Sequence, residues 1–82
     1  MKQTPKSYYL KTLNLIFKKV LNDKKLDLKY STKTKDIKKW DSLNHVKIIL
    51  ECEKRFKIKF NMNDINKINN VKSLVNLISR FK

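Results

Sequence analysis

The residues most able to do chemistry in this chain of 82 residues stand together in Trp40-Asp41-Ser42-Leu43-Asn44-His45-Val46. A lone serine hydroxyl opens a long amphipathic segment, with an acid before it and a leucine after it. That placement marks Ser42 as a site of covalent attachment that the rest of the chain presents. The tripeptide Asp41-Ser42-Leu43 by itself is weak, because short motifs recur by chance; its position and the run that follows to Phe56 carry the weight. Nothing resembles the Ser/His/Asp spacing of a self-contained triad. The single histidine, His45, lacks the Cys, Asp or Glu partners at metal-ligand spacing that coordination needs, and is expected to be a solvated helix residue. Cys52 falls within an apolar stripe and reads as a small buried hydrophobe, not a nucleophile. No catalytic residue and no metal ligand are expected.

Presenting one hydroxyl requires a scaffold. A first helix is predicted from about Ser7 to Leu21, where Tyr9, Leu13, Ile16 and Val20 recur at spacings of four and three, widened by Leu10, Phe17 and Leu21. Ser7 is its expected cap, and Lys18 and Lys19 complement the dipole at its far end. From Asn22 to Lys39 the periodicity disappears. Leu26, Leu28, Tyr30 and Ile37 are expected to pin this long loop to the bundle, and Trp40 to close it. A second helix begins at Asp41 or Ser42, either of which caps it. Its buried stripe is predicted as Leu43, Val46, Ile49, Cys52 and Phe56, with Ile48 and Leu50 flanking. Lys57-Ile58-Lys59-Phe60 is too short and solitary to build a sheet and reads as an extended connector. Asn61 and Asp64 resemble a capping box opening a short turn with Ile65 and Ile68 inward. Asn70 then caps a closing helix with Val71, Leu74, Val75, Ile78 and Phe81 inward. The predicted fold is all-α: a small bundle of four helices with a long loop after the first helix and a short third one. Residues 1–6 form an N-terminal arm and 7–82 a single domain.

Composition bounds what such a chain does. A chain this short buries about 60–65% of the surface its unfolded form exposes, enough for one core but not for a deep enclosing cleft. One cysteine excludes an intrachain disulfide, no apolar run approaches the roughly 20 residues of a membrane span, and residues 1–5 lack the features of a signal peptide, so the expected location is the cytoplasm. The formal net charge of +14 first suggests nucleic acid or an anionic surface. Yet the chain has no glycine or alanine and is crowded with Lys, Asn and Ile, the residues of AT-rich codons, and its lysines are spread from end to end. Composition alone therefore accounts for the charge slightly better than function does.

From about Tyr8 to Ile78 the chain resembles an acyl carrier protein. The resemblance rests on Asp41-Ser42-Leu43, the helix bearing Val46, Ile49 and Phe56, the Phe60 connector, and the series Ile65, Ile68, Val71 and Ile78. The ungapped spacing from the serine to the closing helix is more specific than the tripeptide. What the resemblance implies is that Ser42 carries 4′-phosphopantetheine, donated by coenzyme A through a separate phosphopantetheinyl transferase. The arm's thiol would then hold an acyl or aminoacyl thioester for loading and transfer enzymes. A phosphodiester at a helix N-terminus suits the unpaired N–H groups and dipole there.

The chain also departs from the family pattern. Members are commonly acidic along the second helix, where partner enzymes dock; here the matching positions are Asn44, Lys47 and Lys54, with Glu51 and Glu53 supplying the negative charge nearby. Many members have a glycine before the motif, where this chain has Lys38 and Lys39. The expected docking face is Asp41, Leu43, Asn44, Val46, Lys47, Leu50, Glu51 and Lys54, with its electrostatics weakened or reversed, so that partners present an acidic or apolar surface. This points to a stand-alone, monomeric carrier in a specialised lipid or secondary-metabolite pathway. The alternative is a basic helical nucleic-acid-binding domain. Against it, arginine occurs only at Arg55 and Arg80, and no helix groups the residues that read bases. An unmodified relic serving as an adaptor is a third reading.

Overall fold

A computed structural model describes residues 5–81. It contains α1 (Lys6–Leu21), a 3₁₀ turn (Thr34–Asp36), α2 (Ser42–Phe56), α3 (Met62–Lys67) and α4 (Val71–Phe81). The all-α bundle expected from the periodicity is what forms, and among the described residues the only bridge pairing is the isolated one between Lys33 and Asn70. Met1–Thr4 of the expected N-terminal arm lie outside the described residues, and Lys6 already belongs to α1.

α1 packs on both α2 and α4. It buries Tyr9, Thr12, Leu13, Ile16, Phe17 and Leu21, with Leu10 and Val20 partly covered. Ser7 does not cap it. Pro5 occupies the N-cap position without a side-chain bond, and the chain enters through proline's fixed φ of −66°. At its other end Asn22 adopts the left-handed conformation, φ 51°, and at the end of α2 Lys57 does the same at φ 56°. Glycine usually fills such positions, and this chain has none. Asparagine tolerates that backbone better than lysine does.

The long loop is ordered mainly through backbone bonds that no apolar pattern announces. The first N–H groups of a helix have no partner inside it; at α4, Val71 N–H donates to the Thr32 carbonyl at 2.8 Å and Lys72 N–H to that of Tyr30 at 3.2 Å. The Asn14 side chain on α1 accepts from Leu28 N–H at 3.0 Å. Of the expected pins, Leu28 is buried and Leu26 and Ile37 are partly so, whereas the Tyr30 side chain is exposed and holds the loop by its carbonyl alone. Trp40 is buried, its ring edge-on to Phe17 with centroids 4.8 Å apart.

The closing helix is capped as predicted, Asn70 Oδ1 accepting from Ser73 N–H at 2.7 Å. At α3 only the Asn61 half of the box is present, Asn61 Oδ1 accepting from Asp64 N–H at 2.8 Å. Phe81, expected inward, is 46% exposed and touches the core only edge-on to Phe60; Leu77 takes the buried place instead.

Candidate functional site

α2 starts where Asp41 caps it: its carboxylate accepts from Asn44 N–H at 2.9 Å. That assigns the cap to Asp41 and makes Ser42 the first helical residue, exposed to solvent. The hydroxyl therefore stands at the mouth of a 15-residue helix, beside the Ser42 and Leu43 N–H groups that have no partner within it. Asn44 also holds the approach, its side-chain amide donating to the Lys39 carbonyl at 2.7 Å.

Beneath the serine lies a link that the sequence reading missed. Trp40 Nε1–H donates to His45 Nδ1 at 2.8 Å, and His45 Nε2 stands 3.3 Å from the Ile65 carbonyl oxygen. An indole nitrogen only donates, so Nδ1 must accept and Nε2 must carry the proton, which it directs to Ile65. One neutral imidazole thus joins the loop end, α2 and α3 around Ser42. His45 is not the solvated residue expected; it is part-buried because the ring turns inward to reach both partners. The signal available in the sequence was the Trp-to-His spacing of five across a helix start. Trp40→Phe keeps the ring against Phe17 but strands the His45 acceptor, so the variant is expected to lose about 1–3 kcal/mol in urea unfolding. An unchanged midpoint would show that the bond contributes nothing.

A cleft of about 180 Å³ adjoins the serine, lined by Thr34, Trp40, Asp41, Ser42, His45 and Ile68. It is open to solvent, with the exposed Ser42 in its lining.

The buried face of α2 differs from the one predicted. Ile48, Ile49, Cys52 and Phe56 are buried, but Leu43 is 66% exposed and Val46 51% exposed. The cause is geometric: three successive spacings of three fall short of full turns by about 60° each, so Leu43 and Cys52 end on opposite sides of the helix. Leu43, Val46, Lys47, Leu50 and Lys54 instead form an outward row, all exposed. Lys19 on α1 reaches across to Glu51 at 3.5 Å. Of the residues expected to dock partners, Asp41 is committed to the cap, Asn44 to the loop and Glu51 to Lys19, while the other five are free-standing.

Cys52 is fully buried, as expected. Burial first, then the negative charges of Glu51 and Glu53, push its thiol up from an ordinary 9.0 to about 12. The folded chain is therefore expected to resist iodoacetamide at neutral pH and to react once unfolded, which mass spectrometry reads directly. The thiol ionises more easily in the unfolded chain, so its contribution to stability is complete below about pH 9 and is lost as pH rises toward about 12. Among the described residues no three His, Cys, Asp or Glu side chains gather as a metal site, and no helix is long and apolar enough to cross a membrane.

A scan of family models matches none, and no curated protein matches the sequence. Among solved structures, the solution NMR structure of a holo acyl carrier protein from Geobacter metallireducens matches with a TM-score of 0.81 and 37% identity, covering 87% of this chain and 82% of that one. The chain belongs to the acyl carrier protein family. Family membership supports a carrier role for the protein.

Proposed function

We propose that Ser42 bears a covalent 4′-phosphopantetheine arm, donated by coenzyme A through a phosphopantetheinyl transferase, and that the arm carries an acyl or aminoacyl group between enzymes. The observation that supports this most is the position of Ser42: first residue of α2, exposed, with its capping duty already taken by Asp41. A hydroxyl free of structural work is available for esterification. When bound, the arm supplies a thiol on which the cargo rides as a thioester.

The residues present fit that group. The N–H groups at the α2 start favour the phosphodiester's negative charge. Lys38 and Lys39, both exposed, precede the site, Lys39 Nζ donating to the Leu21 carbonyl at 3.4 Å. The open cleft beside Ser42, with Trp40 and Ile68 among its walls, offers the arm's first atoms a surface to lie on.

Partner enzymes are proposed to dock on the outward row of α2, principally Leu43, Val46, Lys47, Leu50 and Lys54, with Asp41, Asn44 and Glu51 holding its shape. The chain is proposed to act as a cytoplasmic monomer of one domain, in a specialised pathway that uses loading and transfer enzymes of its own. Incubation of the apo chain with coenzyme A and a broad-specificity transferase should add the mass of one phosphopantetheine. A chain that remains folded and unmodified would remove the proposal.

A further inference from the structure

α1 and α2 enclose a groove of about 390 Å³, lined by Lys19, Val20, Lys47, Leu50, Glu51 and Lys54. Val20 and Leu50 make its apolar floor, and Leu50 is 58% exposed. Charge decides what this floor receives. The groove's one acid, Glu51, is engaged by Lys19 at 3.5 Å, which leaves Lys47 and Lys54, about two helical turns apart on the same face, without a counter-charge among the lining residues.

We infer that this groove receives an acidic amphipathic helix of a partner enzyme, which seats an apolar side chain on Val20 and Leu50 and its carboxylates on Lys47 and Lys54. The inference rests on the carrier reading and gives its docking partner a chemistry. It also extends the docking surface beyond α2, because Lys19 and Val20 belong to α1. An apolar floor between the cations suits a protein segment better than nucleic acid, whose backbone offers phosphates without such a side chain. A concave site between two helices suits a protruding side chain better than it suits a flat lipid surface. Opposite charge at the rim sets partner choice and encounter rate, while the apolar contact holds the complex.

The test uses the full apo chain, labelled with ¹⁵N, and a synthetic helical peptide carrying glutamates and leucines on one face. At physiological salt the peptide is expected to shift the amides of Lys19–Val20 and Lys47–Lys54. The pair Lys47→Glu with Lys54→Glu should weaken binding about tenfold or more, about 1.4 kcal/mol or more. The pair Lys59→Glu with Lys67→Glu, exposed positions on the connector and α3, makes the same change in net charge and should leave binding within about twofold. Leu50→Asn should weaken binding with the charges intact.

Equal weakening by both charge pairs would overturn the inference, since general attraction to a basic chain would then explain everything. So would shifts scattered over the surface, or stronger shifts of the same amides by phosphatidylglycerol vesicles or duplex DNA. Melting curves of the variants confirm that each is folded. The peptide needs no arm on Ser42, so loading without groove binding would sink this inference alone, and groove binding without loading would sink the carrier reading.

Discussion

Ser42→Ala is expected to abolish phosphopantetheine loading while leaving the fold unchanged. The loss is complete because the modification forms its bond to the serine oxygen, and alanine offers no atom in its place. The fold survives because Ser42 does little for it. Asp41 caps α2 through Asn44 N–H at 2.9 Å, and the His45 N–H donates to the Asp41 carbonyl at 2.8 Å. Alanine is also the better helix former, so the change in stability should stay within about 0.5 kcal/mol. Intact masses of both proteins after incubation with coenzyme A and transferase, paired with their melting curves, read the two effects separately. A folded Ser42→Ala protein that gains the same mass as wild type would place the attachment elsewhere. Had Ser42 been the cap, the same substitution would have cost about 1 kcal/mol and confused loss of a site with loss of a helix end.

Phe56→Ala is expected to cost about 3–5 kcal/mol, while Val46→Ala on the same helix should cost almost nothing. Phe56 is 4% exposed and lies edge-on to Tyr9 with ring centroids 5.8 Å apart, bridging the last turn of α2 to α1. Its removal opens a cavity between two helices that pack on one another. Small domains have about 5–15 kcal/mol in total, so the variant should melt far below wild type by circular dichroism. Val46 is half-exposed and loses little on truncation. Equal destabilisation by the two variants would mean that the row assigned to docking is in fact packed. Apolar spacing alone assigns both residues to one buried stripe.

That contrast shows where sequence reasoning held and where it failed. Spacing located the three longer helices, because burying one face of a helix demands apolar residues near a period of 3.6, and the capping signal at Asn61 and Asp64 located the short third one. It located Ser42 as well, since an acid and a hydroxyl before a long amphipathic run mark a helix start whatever the rest of the chain does. It also placed Cys52, Phe56 and Leu74 in the core. It failed on α2, which carries apolar residues on two faces. Leu43, Val46 and Leu50 look no different in sequence from Ile48, Ile49 and Cys52, and only the positions of α1 and α4 decide which row is covered.

The remaining features depend on partners distant in sequence. Lys19 and Glu51 come together only when α1 and α2 pack, and the bonds from Val71 and Lys72 that order the loop join residues about forty positions apart. The spacing from Trp40 hints at one partner of His45, but the other, the Ile65 carbonyl, lies on another helix. The local part was legible in the amino-acid order: the helices, a helix start at Asp41 or Ser42, and the serine itself, all set by residues within a few positions of one another; that Asp41 and not Ser42 caps α2 is a finding of the structure. Tertiary structure alone decided which face of α2 is buried, what His45 holds, and how two lysines come to rim an apolar groove. Those depend on contacts between separate segments, and periodicity carries no record of them.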